Sequence, residues 1–279
     1  MRLFYIAELE HYKTYLVELE KGKATIEKYL RDIRTFHAWL GESLEVTKER
    51  VIAYKNYLKE NYKVSSTNSM LVALNRYFQY LGWTECSVKG LRSQQQMFSP
   101  ESRELKQQEY EKLVSTARQK KKEQLALIME TIAGTGIRIS ELVYITVEAV
   151  TQGKAEAACK GKWRQIYLTR ELRKRLMKYC KQKSIKTGPV FCSRNGNPLD
   201  RSNIWSMMKR LSREAGVSPE KVFPHNLRHM FARIYYKKHK DIVYLADILG
   251  HASVNTTRIY TRTAGEAHIR MLEGLKLVI

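Results

Sequence analysis

The sequence predicts a mainly α-helical protein with a small antiparallel β-sheet, arranged as an N-terminal helical bundle followed by a larger α+β domain. Three observations carry this. Residues 1–92 hold apolar stripes of helical period, residues 143–169 switch to short alternating runs around Gly153 and Gly161, and the polar, proline-bearing stretch from Ser93 to Ser102 lacks any period. A chain of 279 residues is long enough for two such units, each burying its own core. The expected division is a bundle at 1–92, a linker at 93–103 and a second domain at 104–279.

Within the bundle four helices are expected. Thr25 is the candidate N-cap of one whose stripe runs Ile26, Tyr29, Leu30, Ile33, Phe36 and Leu40, and Thr47 opens the next, with Val51, Tyr54 and Leu58 on its apolar side. The last spans about 66–81, carries Met70, Leu71, Leu74, Tyr77, Phe78 and Leu81 on one face, and stops at Gly82. Aromatic residues in such stripes are packing before they are base-stacking platforms. Lys63, Ser65, Ser66, Asn68 and Arg76 fall on or near the polar faces and are candidates for phosphate and base contacts, against the ordinary fate of solvated surface.

After the linker, helices are expected near 106–117 and 123–133, separated by the basic run Arg118 to Lys122, which reads as a solvated turn or as a phosphate contact. Val147, Val150, Ala155 to Cys159 and Ile166 to Leu168 read as short antiparallel strands. A very basic helix follows at 170–183, then a short strand at Pro189 to Phe191 and an Asn195-Gly196 turn. The helix near 201–215 carries Lys209 and Arg210, further candidates for phosphate contact together with Arg164. The end of the chain, beyond Tyr260, is more apolar than a free terminus should expose.

Charge is the strongest global number. The chain carries 50 Lys and Arg against 28 Asp and Glu, a formal +22. Residues 1–93 hold 15 basic and 11 acidic side chains, so +18 of that excess lies in the second part. A surplus of this size suits a polyanion and predicts binding that weakens steeply with salt. A membrane surface is the other polyanion, but no basic helix has a long, aromatic-rich apolar face to favour it. No apolar run reaches membrane-spanning length, and Glu8 and Glu10 interrupt any secretory h-region, so a cytoplasmic protein with no membrane partner is expected. Cys86, Cys159, Cys180 and Cys192 form no C-x-x-C pair and read as reduced, structural thiols.

Chemistry concentrates in two stretches. In PHNLRH, His225 and Arg228 are three apart, so on a helix both reach one small anion such as a phosphate. Leu249-Gly250 closes a later helix and leaves His251 at a turn, and Tyr260 follows nine residues on. Upstream, TGIRISEL places Arg138 and Glu141 three apart after a glycine break. Each piece alone has a bland reading: tyrosine is common here, with 17 copies, and a helical His beside an Arg is ordinary in a basic chain. His225 and His229 are i,i+4 and suit a metal, but Asn226 stands where H-E-x-x-H has its glutamate.

Together, TGIRISEL, HNLRH, LGH and the following tyrosine, in this order, resemble the tyrosine recombinase (phage integrase) family over roughly 104–279. The resemblance implies a SAM-like core-binding domain that clamps DNA at 1–92, an α+β tyrosine recombinase catalytic domain at 104–279, and a C-terminal tail exchanged between protomers. It implies an enzyme that cuts and rejoins double-stranded DNA recombination sites through a 3′-phosphotyrosine intermediate, as a homotetramer assembled on DNA, with no nucleotide cofactor and no metal. By the same resemblance Arg138, Lys162, His225, Arg228, His251 and Tyr260 are catalytic, and Glu141 supports His225 or the hairpin. Lys162-Trp163-Arg164 fits the family's hairpin lysine motif after a turn one residue shorter than usual, which leaves Lys160 as a substitute. These residue types by themselves establish only that the group suits phosphoryl transfer. Two competing readings are a type IB topoisomerase-like DNA-relaxing enzyme and a non-catalytic DNA-binding protein; a third, a metal-dependent nuclease, predicts loss of activity in chelator.

Overall fold

The computed structural model describes residues 2–92, 103–159, 162–193, 195–251, 253–257 and Tyr260. All but the last residue of the expected linker, the alternative Lys160 and the tail beyond Tyr260 lie outside the described residues, as does the side chain of Lys162. The chain divides into two compact units, Met1–Gln95 and Gln96–Ile279.

The first unit holds α1 (Glu8–Glu18), α2 (Lys23–Leu40), α3 (Lys48–Asn61) and α4 (Val64–Tyr80), then a 3-10 turn at Thr84–Cys86. The expected stripes are its core: Leu30, Ile33 and Phe36 of α2 meet Val51, Tyr54 and Leu58 of α3 and Leu71, Leu74, Tyr77 and Phe78 of α4. Thr47 caps α3 by accepting the Arg50 N–H. Thr25 does not cap α2. The extended backbone at Gly22 starts that helix three residues earlier, and the Gly22 carbonyl takes the N–H of Thr25 and of Ile26. Among the aromatic residues, Tyr12, Tyr54 and Tyr77 bury their hydroxyls within the bundle, and burial pushes all three phenols above their ordinary pKa. They are packing, not a surface for bases.

Two asparagines on α4 bind the segment that leaves the bundle. The Asn75 amide pairs with both backbone groups of Val88, and the Asn68 amide pairs with both of Leu91. Asn68 is therefore committed to holding this segment. Lys63, just before α4, and Arg76 on it are exposed.

The second unit is built around α6 (Glu123–Thr135), whose residues Leu125 to Met129 are all buried. Packed on it are α5 (Gln107–Gln119), α8 (Arg170–Gln182), α9 (Arg201–Glu214) and α10 (Pro224–His239). Half of the basic run between α5 and α6 is used internally: Arg118 binds Glu130 and Lys122 binds Glu214. The expected strands at Val147 and Val150 are instead one short helix, α7 (Val147–Gln152). Thr146 caps it, Gly153 ends it in the left-handed region, and the two valines are i,i+3 neighbours, a spacing that fits a helical turn as well as an irregular strand. The sheet is the hairpin of β1 (Lys154–Cys159) and β2 (Lys162–Tyr167), antiparallel with Cys159 opposite Lys162. The strand expected at Pro189 to Phe191 reduces to isolated bridges, Thr146 with Pro189 and Cys192 with Pro198, the second closed by a turn at Gly196. The remaining elements are α11 (Ile242–Leu249) and α12 (Val254–Thr257).

No helix among the described residues is long and apolar enough to cross a membrane. No cluster of three or more His, Cys, Asp or Glu side chains among them is placed to hold a metal ion.

Candidate active site

The site begins where α6 breaks. Gly136 adopts φ +66°, a value that glycine takes without strain, and turns the chain so that Ile137 is buried and Arg138 emerges extended. Glu141, three residues on and only 2% exposed, accepts the Arg138 N–H at 2.7 Å and its guanidinium at 3.1 Å. Arg164 of β2 reaches the same carboxylate at 2.5 Å and also binds the Ile248 carbonyl at the end of α11. One acid thus ties the arginine loop, the hairpin and the α11 terminus together. Burial pushes the Glu141 carboxyl up, but hydrogen bonds and charge from Arg164 and Arg138 outweigh it, and its pKa lies below the ordinary value.

Helix α10 supplies the second arginine. Proline at its first position lacks an N–H where a helix would leave that donor without an intrahelical partner, and His225 and Arg228 follow within the first two turns. Asn226 binds the carbonyls of Arg103 and Lys221, so it anchors the helix start where a metal-binding motif would need a glutamate. Arg228 is 1% exposed. Its two terminal nitrogens donate to the Gly136 carbonyl at 2.7 Å and the Leu249 carbonyl at 2.8 Å, and to His251 Nε2 at 2.9 Å. Burial first, and the charge of Arg138 next, pull its pKa down to about 10, while Tyr260 opposes the fall; it stays charged at neutral pH.

Gly250 ends α11 in the left-handed region at φ +62° and releases His251 toward Arg228. The other ring nitrogen of His251, Nδ1, meets Thr257 Oγ1 of α12 at 2.8 Å. Tyr260 is 5% exposed, and its ring packs with Ala232, Leu245 and Leu249. Its ring lies 6.0 Å from that of His251 and 4.8 Å from that of His229, the latter edge-on at 88°. His225 is exposed, and its ring lies 4.6 Å, centroid to centroid, from that of His229. Burial is the first cause, and positive neighbours the next, of depressed pKa values at all three histidines, down to about 4 at His229 and His251.

The structure therefore brings Arg138, Arg228, His251 and Tyr260 into one contiguous group with Glu141 beneath it, and joins His225 to that group through His229. Of the residues expected on DNA, Arg210 is exposed, but two others are spent inside the domain. Arg164 has a side chain only 10% exposed and is bound to Glu141. Lys209 binds the Pro219 carbonyl and lies over the rings of Trp205 and Phe223. Glu141 is expected to steady His225 or the hairpin, and its bonds run to Arg138 and to Arg164 of the hairpin. Two participants escaped sequence reasoning. Thr257 carries no motif signal. His229 had one, its i,i+4 spacing from His225, which suggested a metal ligand.

This arrangement of two arginines, imidazoles and a phenol on a mainly helical domain that follows a four-helix bundle in the sequence is that of DNA strand-transferring enzymes, and sequence comparison agrees. Residues 103–266 match the phage integrase family, and residues 9–85 match the family described as phage integrase, N-terminal SAM-like domain. The chain is 31% identical over 267 residues to tyrosine recombinase XerA of Pyrococcus furiosus, covering 92% of this chain and 90% of that one. It is 28% identical to tyrosine recombinase XerD of Vibrio cholerae, covering 88% and 89% respectively. Among solved structures, XerH recombinase in a post-cleavage complex with a palindromic difH substrate superposes with TM-score 0.74 at 21% identity, covering 98% of this chain and 84% of that one. A lambda integrase dimer bound to a COC′ core site also gives 0.74, at 20% identity, covering 94% and 96%. The chain belongs to the phage integrase family. It is a site-specific tyrosine recombinase, an enzyme that cuts and rejoins DNA; the similarities do not favour the topoisomerase-like or non-catalytic readings.

Proposed function

We propose that Tyr260 is the nucleophile and that its phenolic oxygen attacks one phosphodiester of a double-stranded recombination site. The bond from oxygen to phosphorus forms as the bond to the 5′-oxygen breaks, leaving a 3′-phosphotyrosyl linkage. That linkage keeps the energy of the broken ester, so rejoining to a second 5′-hydroxyl draws on no nucleotide or metal. Arg138 and Arg228 neutralise the charge that builds on the non-bridging oxygens. His225 takes the phenolic proton, Lys162 returns one to the leaving 5′-oxygen, and His251 hydrogen-bonds a non-bridging oxygen. Glu141 holds the arginines and the hairpin in register.

The observation that supports this reading best is the convergence of Arg138, Arg228, His251 and Tyr260, which come from four separate places in the chain, into one cluster. Around it, residues 1–92 act as the DNA-clamping domain and 93–103 as the linker, with Lys63, Arg76 and Arg210 on backbone phosphates. Four copies assemble on two DNA sites in the cytoplasm, and the tail beyond Tyr260 links neighbouring protomers. Transfer of a mobile element is one setting this activity suits.

The test is trapping on a nicked suicide substrate followed by mapping of the covalent peptide. Wild type forms a detergent-resistant adduct at Tyr260, unchanged by chelator, and Tyr260→Phe binds the same DNA but forms none. Equal adduct formation by that variant removes Tyr260 from its role.

A further inference from the structure

His229 sits immediately after Arg228 in α10, one helical turn beyond His225, so the two imidazoles share a face of the helix. Its ring is the middle member of a continuous row: His225 to His229 at 4.6 Å, then His229 to Tyr260 at 4.8 Å. The near-perpendicular approach of 88° places the imidazole edge against the tyrosine, the geometry that aromatic quadrupoles favour. Behind Tyr260 stand Ala232, Leu245 and Leu249, all buried, and His251 stacks at 6.0 Å. The phenol ring is thus held in a socket whose polar walls, among the described residues, include His229, His251 and Arg228.

The charge state of that wall is set by what faces it. His225, Arg228 and Arg233 crowd it from its own helix, and His251 faces it from the turn after α11. With the ring also largely buried, a proton there is disfavoured, and a pKa held down to about 4 leaves His229 neutral at pH 7. A neutral imidazole packs against a phenol without competing for the phosphate that the arginines await.

We infer that His229 is a positioning residue for DNA cleavage: wedged between His225 and Tyr260, it fixes the rotation of the phenol and couples the orientation of the two rings. This rests on Tyr260 as the nucleophile. Removing the wedge lets the phenol turn within the socket, and a misalignment of about 1 Å at a reacting oxygen costs roughly a hundredfold in rate. Because the role is steric and aromatic, phenylalanine should fill it where alanine cannot.

The experiment measures single-turnover adduct formation with DNA saturating, beside DNA affinity and thermal melting, for His229→Ala, His229→Gln and His229→Phe. His229→Ala and His229→Gln are expected to cleave roughly a hundredfold more slowly at near-unchanged affinity, and His229→Phe to recover to within about fivefold of wild type. A substrate with a 5′-bridging sulfur, whose leaving group departs without a proton, should leave the alanine defect in place, since the fault lies in the nucleophile. His229→Phe as slow as His229→Ala, rescue by the sulfur substrate, or wild-type rates in His229→Ala each overturn the inference. Should His229→Ala melt too low to assay, the comparison of Gln with Phe decides alone. An adduct in wild type that maps away from Tyr260 sinks the nucleophile assignment instead, so the two failures are told apart.

Discussion

Arg228 Nη2 and His251 Nε2 are 2.9 Å apart, and this one contact fixes the protonation of the histidine. A guanidinium nitrogen can only donate, so Nε2 must accept and the ring proton must sit on Nδ1, where Thr257 Oγ1 receives it at 2.8 Å. In this arrangement His251 has no Nε2 proton to offer a phosphate oxygen. For it to take the donor role proposed above, the arriving phosphate must supply the negative charge that makes a second proton on the ring favourable.

The pKa of His251 should therefore rise on DNA binding from its value of about 4. Nitrogen-15 imidazole shifts recorded from pH 4 to 8, with and without a recombination site bound to the Tyr260→Phe protein, report this directly. A ring already doubly protonated at pH 7 without DNA would contradict the tautomer drawn here.

The same depressed values make stability depend on pH. His229 and His251 titrate near 4 in the folded chain, against about 6.5 when unfolded, so between those limits the unfolded chain binds more protons. Their contribution is complete above pH 6.5 and is lost progressively as pH falls toward 4. The melting temperature should drop across that window, and His229→Phe should flatten the drop. A melting temperature that rises with acidification would refute the burial of these rings.

Glu141→Gln tests the acid beneath the site. The carboxylate is 3% exposed at its side chain and neutralises Arg138 and Arg164 together, so its loss leaves the buried Arg164 charge unpaired. Breaking such a pair costs about 3–5 kcal/mol, read as a shift of the denaturant midpoint. Adding Arg164→Met to Glu141→Gln should restore part of it, because the orphaned charge goes as well.

The two arginines should respond differently to lysine. Arg138 has a side chain 31% exposed, and Arg138→Lys is expected to lose about a hundredfold in cleavage rate at near-normal stability. Arg228 is 1% exposed and satisfies the Gly136 and Leu249 carbonyls. Arg228→Lys should lose a similar rate and, because a lysine cannot reach both carbonyls, about 1–3 kcal/mol of stability as well. Equal stability of the two variants would show that the carbonyl contacts contribute little.

Gly250→Ala probes the turn that delivers His251. Gly250 adopts φ +62°, and a Cβ there would collide with the Arg164 side chain that braces Glu141. The strain of a left-handed alanine, about 1–2 kcal/mol, adds to displacement of Arg164, so both stability and cleavage should fall. Cleavage by Gly250→Ala at the wild-type rate would show that this turn does not need glycine.

Much of the fold was legible because apolar period is a local property. The stripes on α2, α3 and α4 and the cap at Thr47 are written in neighbouring residues, and the structure places them as expected. Where two local readings compete, the sequence misleads: Val147 and Val150 fit strand or helix, and the cap at Thr146 with the stop at Gly153 decides for helix. Arg164 and Lys209 looked like DNA contacts because a basic side chain carries no mark of the carboxylate or carbonyl it will meet.

The sequence by itself determined the two-part organisation, the large positive charge and the set of residue types for phosphoryl transfer, since each is a matter of composition or short-range spacing. Only the tertiary structure decided which histidine touches Tyr260, how Glu141 divides itself between two arginines, and which nitrogen of His251 bears the proton. Those are contacts between residues 23 to 31 positions apart or around a turn, set by packing of helix ends against one another. No local period or motif encodes the direction in which a buried side chain finally points.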